Sequence, residues 1–100
     1  MEKWQSKIVD MGTHPPGTKL KFIFHYLGDI NDIKNFKPGC GCTGVTMHNQ
    51  NTLIATYTTE ALTESQISAG LNEAQKVKHV YVNYVDGSQD ILKMKVVVTR

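Results

Sequence analysis

A chain of 100 residues, 40% of them hydrophobic and 20% charged, with a formal net charge of +2, is long enough for one folded domain, residues 1–100, and is not disordered in composition. No apolar run nears the ~20 residues needed to cross a bilayer, and Met1–Lys7 holds no apolar stretch of the kind that marks a secretory leader. Its ten lysines and one arginine are dispersed, and the pairs Lys19/Lys21, Lys76/Lys78 and Lys93/Lys95 have the spacing of a strand's solvent face. That pattern argues against a nucleic-acid partner, which clusters its cations and favours arginine.

Period-two alternation, broken by turn residues every eight to twelve positions, dominates the chain. A first strand is expected over Gln5–Met11, ending at Gly12, before Pro15-Pro16-Gly17 turns the chain. Lys19–Tyr26 is the clearest strand, with Leu20, Phe22, Phe24 and Tyr26 on one face. In Ile30–Phe36 the two large apolar residues Ile33 and Phe36 differ in parity, which predicts a bulge or bend. After Pro38-Gly39 comes a run to Met47, a hairpin turn at Asn49-Gln50-Asn51, and a strand over Thr52–Thr58 that places Leu53, Ala55 and Tyr57 together. Two β-rich runs, Val77–Val85 and Ile91–Thr99, flank a loop at Asp86–Asp90.

Glu60–Gln75 breaks this rhythm. Thr63-Glu-Ser-Gln66 matches a capping box, and Ile67, Leu71 and Ala74 then follow at helical spacing, with Gly70 as a weak point. The sum predicts an all-β fold: an immunoglobulin-like antiparallel β-sandwich of about seven strands with one short helical insertion.

The run Asn35-Phe-Lys-Pro-Gly-Cys-Gly-Cys-Thr43 resembles the signature of a widespread bacterial family of unknown function. Its members carry a Cys-Gly-Cys-Thr motif on an immunoglobulin-like sandwich similar to the ASH and major sperm protein domains. Asp10-Met-Gly-Thr13 resembles the family's opening element, Leu20–Phe24 with Gly28-Asp29 its second strand and turn, and Leu92–Val96 its last strand. The resemblance covers the first half of the chain well and the last quarter loosely. Glu60–Gln75 departs from it. It implies a non-catalytic domain. The family's members often carry export signals and this chain has none, so the expected location is a virion if the chain is phage-encoded, and otherwise the cytoplasm.

Cys40 and Cys42 are the only cysteines. Two residues apart on an extended chain, they point to one side. Cu(I) suits such a pair better than zinc, which favours wider spacing and four ligands. Three readings stay open: small buried apolar groups at a glycine-rich bend, a soft-metal site completed by His14, His25, His48 or His79, and a redox pair. No Gly-x-Ser-x-Gly or His-Glu-x-x-His occurs, and no nucleophile with a base can be assembled, so no enzyme and no resident cofactor are expected. Tyr81 falls on the face opposite Val80, Val82 and Tyr84, which suits either a partner contact or a second-sheet core. A carbohydrate-binding sandwich would need an exposed aromatic platform, and none is evident.

By analogy with the single immunoglobulin-like domains of phage particles, the leading expectation is a structural or interaction module, a virion accessory or capsid decoration protein. Its partner would be a capsid or tail protein, contacted through Pro15–Gly17 and Glu60–Gln75, with Glu60, Thr63, Gln66 and Tyr81 as candidate contact residues. The alternative is a small copper-binding or redox protein centred on Cys40 and Cys42.

Overall fold

The computed structural model describes residues 3–39 and 43–100. Within them the chain forms seven strands in order: β1 (Ile8–His14), β2 (Lys19–His25), β3 (Ile33–Pro38), β4 (Thr43–His48), β5 (Thr52–Thr58), β6 (Glu73–Tyr84) and β7 (Gln89–Thr99). One helix, α1 (Glu64–Ser68), stands between β5 and β6, and a 3₁₀ turn over Ile30–Asp32 leads into β3. The strands make a sandwich of a four-stranded sheet, β1-β7-β6-β3, and a three-stranded sheet, β2-β5-β4. The sets β2-β5-β4 and β7-β6-β3 follow the order of strands B-E-D and G-F-C in an immunoglobulin domain.

The core lies where the alternation places it. Leu20, Phe22 and Phe24 of β2 meet Leu53, Ala55 and Tyr57 of β5 in one layer; Val80, Val82, Tyr84, Leu92, Met94, Val96 and Val98 of β6 and β7 supply the other, and all are buried. At ~1.5–3 kcal/mol per large apolar side chain removed from water, these two layers dominate the favourable side of folding. The β4–β5 hairpin turns through Asn49–Asn51, with Asn49 and Gln50 both at positive φ (53° and 65°). The predicted irregularity in the third strand is a register shift between Ile33 and Asn35.

Besides the third strand, which begins at Ile33 and not Ile30 and runs through Pro38, three features differ from the sequence-based expectation. The first strand runs over Ile8–His14, not Gln5–Met11. Gly12, expected to end it, sits inside it at φ 74°, where the register shifts between Asp10 and Thr13 and the Asp10 carboxylate accepts from the Gly12 amide at 2.9 Å. The sandwich is also not wholly antiparallel, because β1 pairs with β7 in parallel, Ile8 opposite Lys93 and His14 opposite Val98. Finally, the helical segment is only five residues long and buries none of them. Gly70 takes a left-handed φ of 83° just beyond it, and from Glu73 onward the chain is strand, paired with β7 from Thr99 inward. Ala74, expected on a helix, therefore belongs to β6.

Two tethers hold the first strand. Residues before it cross to the other sheet: Gln5 N–H donates to the His25 carbonyl at 2.9 Å and Leu27 N–H to the Lys3 carbonyl at 2.7 Å. After it, Thr59 locks the proline turn. The buried Thr59 hydroxyl donates to the Pro15 carbonyl at 2.7 Å and accepts from Thr18 N–H at 2.8 Å. Its carbonyl accepts from Gly17 N–H at 2.8 Å. Thr59→Val keeps the shape but orphans the Thr18 amide, and urea unfolding should show a loss of about 1–3 kcal/mol.

Candidate interaction surfaces

The segment between β5 and β6 starts from anchored residues. Tyr57 OH donates to Glu60 Oε1 at 3.4 Å, Lys78 Nζ lies 3.7 Å from the same oxygen, and Leu62 is buried in the core. Glu60 thus ties the segment to the sandwich. Thr63 and Gln66 then close a reciprocal capping box: the Thr63 hydroxyl accepts from Gln66 N–H at 3.2 Å and Gln66 Oε1 accepts from Thr63 N–H at 2.9 Å. At the far end Gly70 N–H donates to the Ile67 carbonyl at 3.0 Å and Leu71 N–H to the Gln66 carbonyl at 3.1 Å. The helix is held by its caps at both ends and contributes nothing to the core. Ile67 and Leu71 remain 37% and 43% exposed.

Tyr81 lies elsewhere, in the middle of β6, opposite Lys37 on β3 and Ile91 on β7. It shares the outward side of the four-stranded sheet with His79, the two rings 6.4 Å apart and 27° from parallel. The structure therefore groups Glu60, Thr63 and Gln66 in one segment and places Tyr81 on a sheet face. The sequence reading did not single out His79 as Tyr81's companion, although the two-residue spacing on a strand was the available signal. Cys40 and Cys42 lie outside the described residues. Among the described residues no three His, Cys, Asp or Glu side chains come together. His14 Nε2 is engaged with the Met11 carbonyl at 2.7 Å, and His25 and His48 both flank Thr52 at one end of the three-stranded sheet.

The densest polar cluster closes this same end of the sandwich, where Trp4 bridges to Tyr26 next to His25. Trp4, 1% exposed, packs against Tyr26 with ring centroids 4.8 Å apart and donates its indole N–H to Tyr84 OH at 2.9 Å. Tyr84 OH donates in turn to Asp90 Oδ2 at 2.6 Å, while Asp90 Oδ1 lies 3.0 Å from Lys7 Nζ. Lys3 Nζ sits 3.8 Å from the centre of the Tyr84 ring. Burial pushes the Tyr84 phenol well above its ordinary range, and its bond to the Asp90 carboxylate raises it further. For Asp90, burial alone would raise the carboxyl, but the Tyr84 hydroxyl and the Lys7 ammonium outweigh it and hold the group below the usual carboxylate range. Beside this cluster, Trp4, Gln5, Ser6, Lys7, Ile8 and Leu27 line an open groove of about 500 Å³.

No known family matches the sequence, and no curated protein matches it. The fold is similar to part of an endo-fucoidan hydrolase from glycoside hydrolase family 107. A variant of that enzyme aligns over 95% of this chain with a TM-score of 0.55 at 10% identity. A second structure of the hydrolase aligns over 96% with a TM-score of 0.52, also at 10% identity. The chain spans 13% of the hydrolase's length in each case. Likeness at that identity is one of fold, a small β-sandwich, and carries no activity with it.

Because the folded Asp90 carboxyl titrates below its unfolded value, the stability it contributes is present above about pH 4 and is lost as pH falls through the folded value. Urea midpoints of the parent and of Asp90→Asn should differ at pH 7 and draw together as pH falls below about 4. Tyr84→Phe, which leaves the Trp4 N–H buried without an acceptor, should cost about 1–3 kcal/mol at pH 7 by the same measurement.

Proposed function

We propose that the chain is a non-enzymatic structural or interaction module that docks on a protein partner through the segment between β5 and β6. The observation that carries this reading is α1 itself. A helix of five residues has negligible stability alone, yet this one is specified at both ends and buries nothing. Side chains held rigidly outward in this way, with apolar Ile67 and Leu71 among them, suit a partner surface that covers them.

The finer reading is an immunoglobulin-like domain of the Cys-Gly-Cys-Thr type acting as a phage virion accessory or capsid decoration protein. It rests on the resemblance of Asn35–Thr43 and on analogy with single-domain subunits of such particles. The location is then the virion for a phage-encoded chain and the cytoplasm otherwise, with a capsid or tail protein as partner. The likeness to the fucoidan hydrolase contributes the sandwich and leaves this reading unchanged.

Gradient sedimentation of native source material, followed by mass spectrometry of the fractions, tests the assembly. The expected outcome is co-migration with a large particle in fixed ratio to one shell or tail protein. Migration as a free small protein discards the reading. The double substitution Ile67→Asp with Leu71→Asp should reduce incorporation at least about tenfold while shifting the melting temperature by only a few degrees, since neither side chain is in the core. Full incorporation of that variant would move the docking surface away from α1.

A further inference from the structure

On the outward side of the four-stranded sheet, cross-strand pairing sets side chains in rows ~7 Å apart. One row holds Asn35, Asn83 and Gln89, and the next Lys37, Tyr81 and Ile91. In the third row His79 stands between Lys93 on β7 and Gly39. Gly39 N–H donates to the His79 carbonyl at 2.8 Å, and a Cβ at Gly39 would lie only 2.9 Å from that carbonyl oxygen. A side chain cannot be added at Gly39 without moving backbone, so Gly39 itself places nothing beside the His79 ring.

Three chemistries adjoin on this face. The half-buried aromatic rings of Tyr81 and His79 stand side by side, 6.4 Å apart and 27° from parallel. Lys37 flanks Tyr81 and Lys93 flanks His79, and among the described residues neither lysine has a carboxylate partner. The amides of the first row run in one direction, Gln89 Nε2 donating to Asn83 Oδ1 at 2.8 Å and Asn83 Nδ2 to Asn35 Oδ1 at 2.7 Å. The series leaves an acceptor open at the Gln89 end and a donor at the Asn35 end.

We propose that this face binds an anionic polysaccharide, with a sugar ring over the Tyr81–His79 pair and its carboxylate or sulfate groups on Lys37 and Lys93. A small anion would not use the rings, and a neutral sugar would not use the lysines. The open amide ends suit hydroxyl groups, which both donate and accept. The face also lacks arginine, the residue best shaped for phosphate. An extended polymer lying along the rows would span several sugar units. The surface is separate from α1, so polysaccharide binding and particle assembly can fail independently.

Affinity electrophoresis of the intact chain through gels containing alginate, dextran sulfate or neutral dextran tests this, with an oligothymidine as competitor. Retardation by alginate, dextran sulfate or both, and none by dextran, is the expected result. Tyr81→Ala should weaken retention at least about tenfold, with a thermal melt confirming that the variant folds. Lys37→Ser with Lys93→Ser should weaken it comparably and lies outside the core, so it decides the matter if Tyr81→Ala fails to fold. Lys19→Ser with Lys21→Ser removes the same charge from the other sheet and should leave retention unchanged. No retardation by either acidic polymer overturns the proposal. So does equal loss in the two lysine double variants, which would mean net charge alone, and so does stronger binding of the oligothymidine.

Discussion

The indole N–H of Trp4 is a donor that folding takes out of water, and it has to find an acceptor inside the sandwich. Its acceptor is Tyr84 OH on β6, while the backbone on either side of Trp4 bonds to the other sheet through His25 and Leu27. One residue therefore joins both layers. Satisfying it orders the rest of that end: Tyr84 must carry its proton toward Asp90, Asp90 must stay ionised, and Lys7 is drawn in to balance the charge. A donor left unpaired in such a place costs more than a paired one gains, so the network holds as a unit.

The other end of the molecule is held by a different device. Thr59 uses its hydroxyl, its amide and its carbonyl on three residues of the proline turn, Pro15, Gly17 and Thr18. Between these two fastenings β1 needs little apolar burial of its own, and it has no fully buried side chain. The long β6–β7 hairpin, by contrast, carries buried side chains over most of its length and forms the rigid floor on which both outward surfaces are laid. The α1 segment rises from the loop before β6, and the Tyr81–His79 face lies on β6 itself.

Legibility in the sequence followed the range of the interactions. Leu20–Tyr26, Thr52–Thr58 and Ile91–Thr99 were readable because alternation is a property of neighbours along the chain. The capping box of Thr63 and Gln66 was readable for the same reason. The helix was overextended because Ile67, Leu71 and Ala74 do fall at helical spacing. What ends it is a pairing partner at the far terminus, Thr99, that claims the chain from Glu73 onward. The parallel pairing of β1 with β7 was not readable, since nothing local distinguishes it from an antiparallel edge. Nor was the bond from Trp4 to a tyrosine eighty positions away. Of the candidate contact residues, Tyr81 was found by strand parity. That Gly39 packs its backbone against the carbonyl of His79 depends on a cross-strand register that the sequence does not state.

The parallel β1–β7 pair has a mechanical consequence. Chain entering β1 and chain leaving β7 depart from opposite ends of two adjacent strands that run the same way. Tension between them pulls the strands past one another along their length, so the paired stretches on the two sides of the Gly12 irregularity, Ile8–Asp10 and Thr13–His14, are loaded together instead of parting one after another. Rupture under force is set by an unfolding rate, not by equilibrium stability. A sandwich closed in this manner meets a pull on its two ends as shear along the strands, not as unzipping across them.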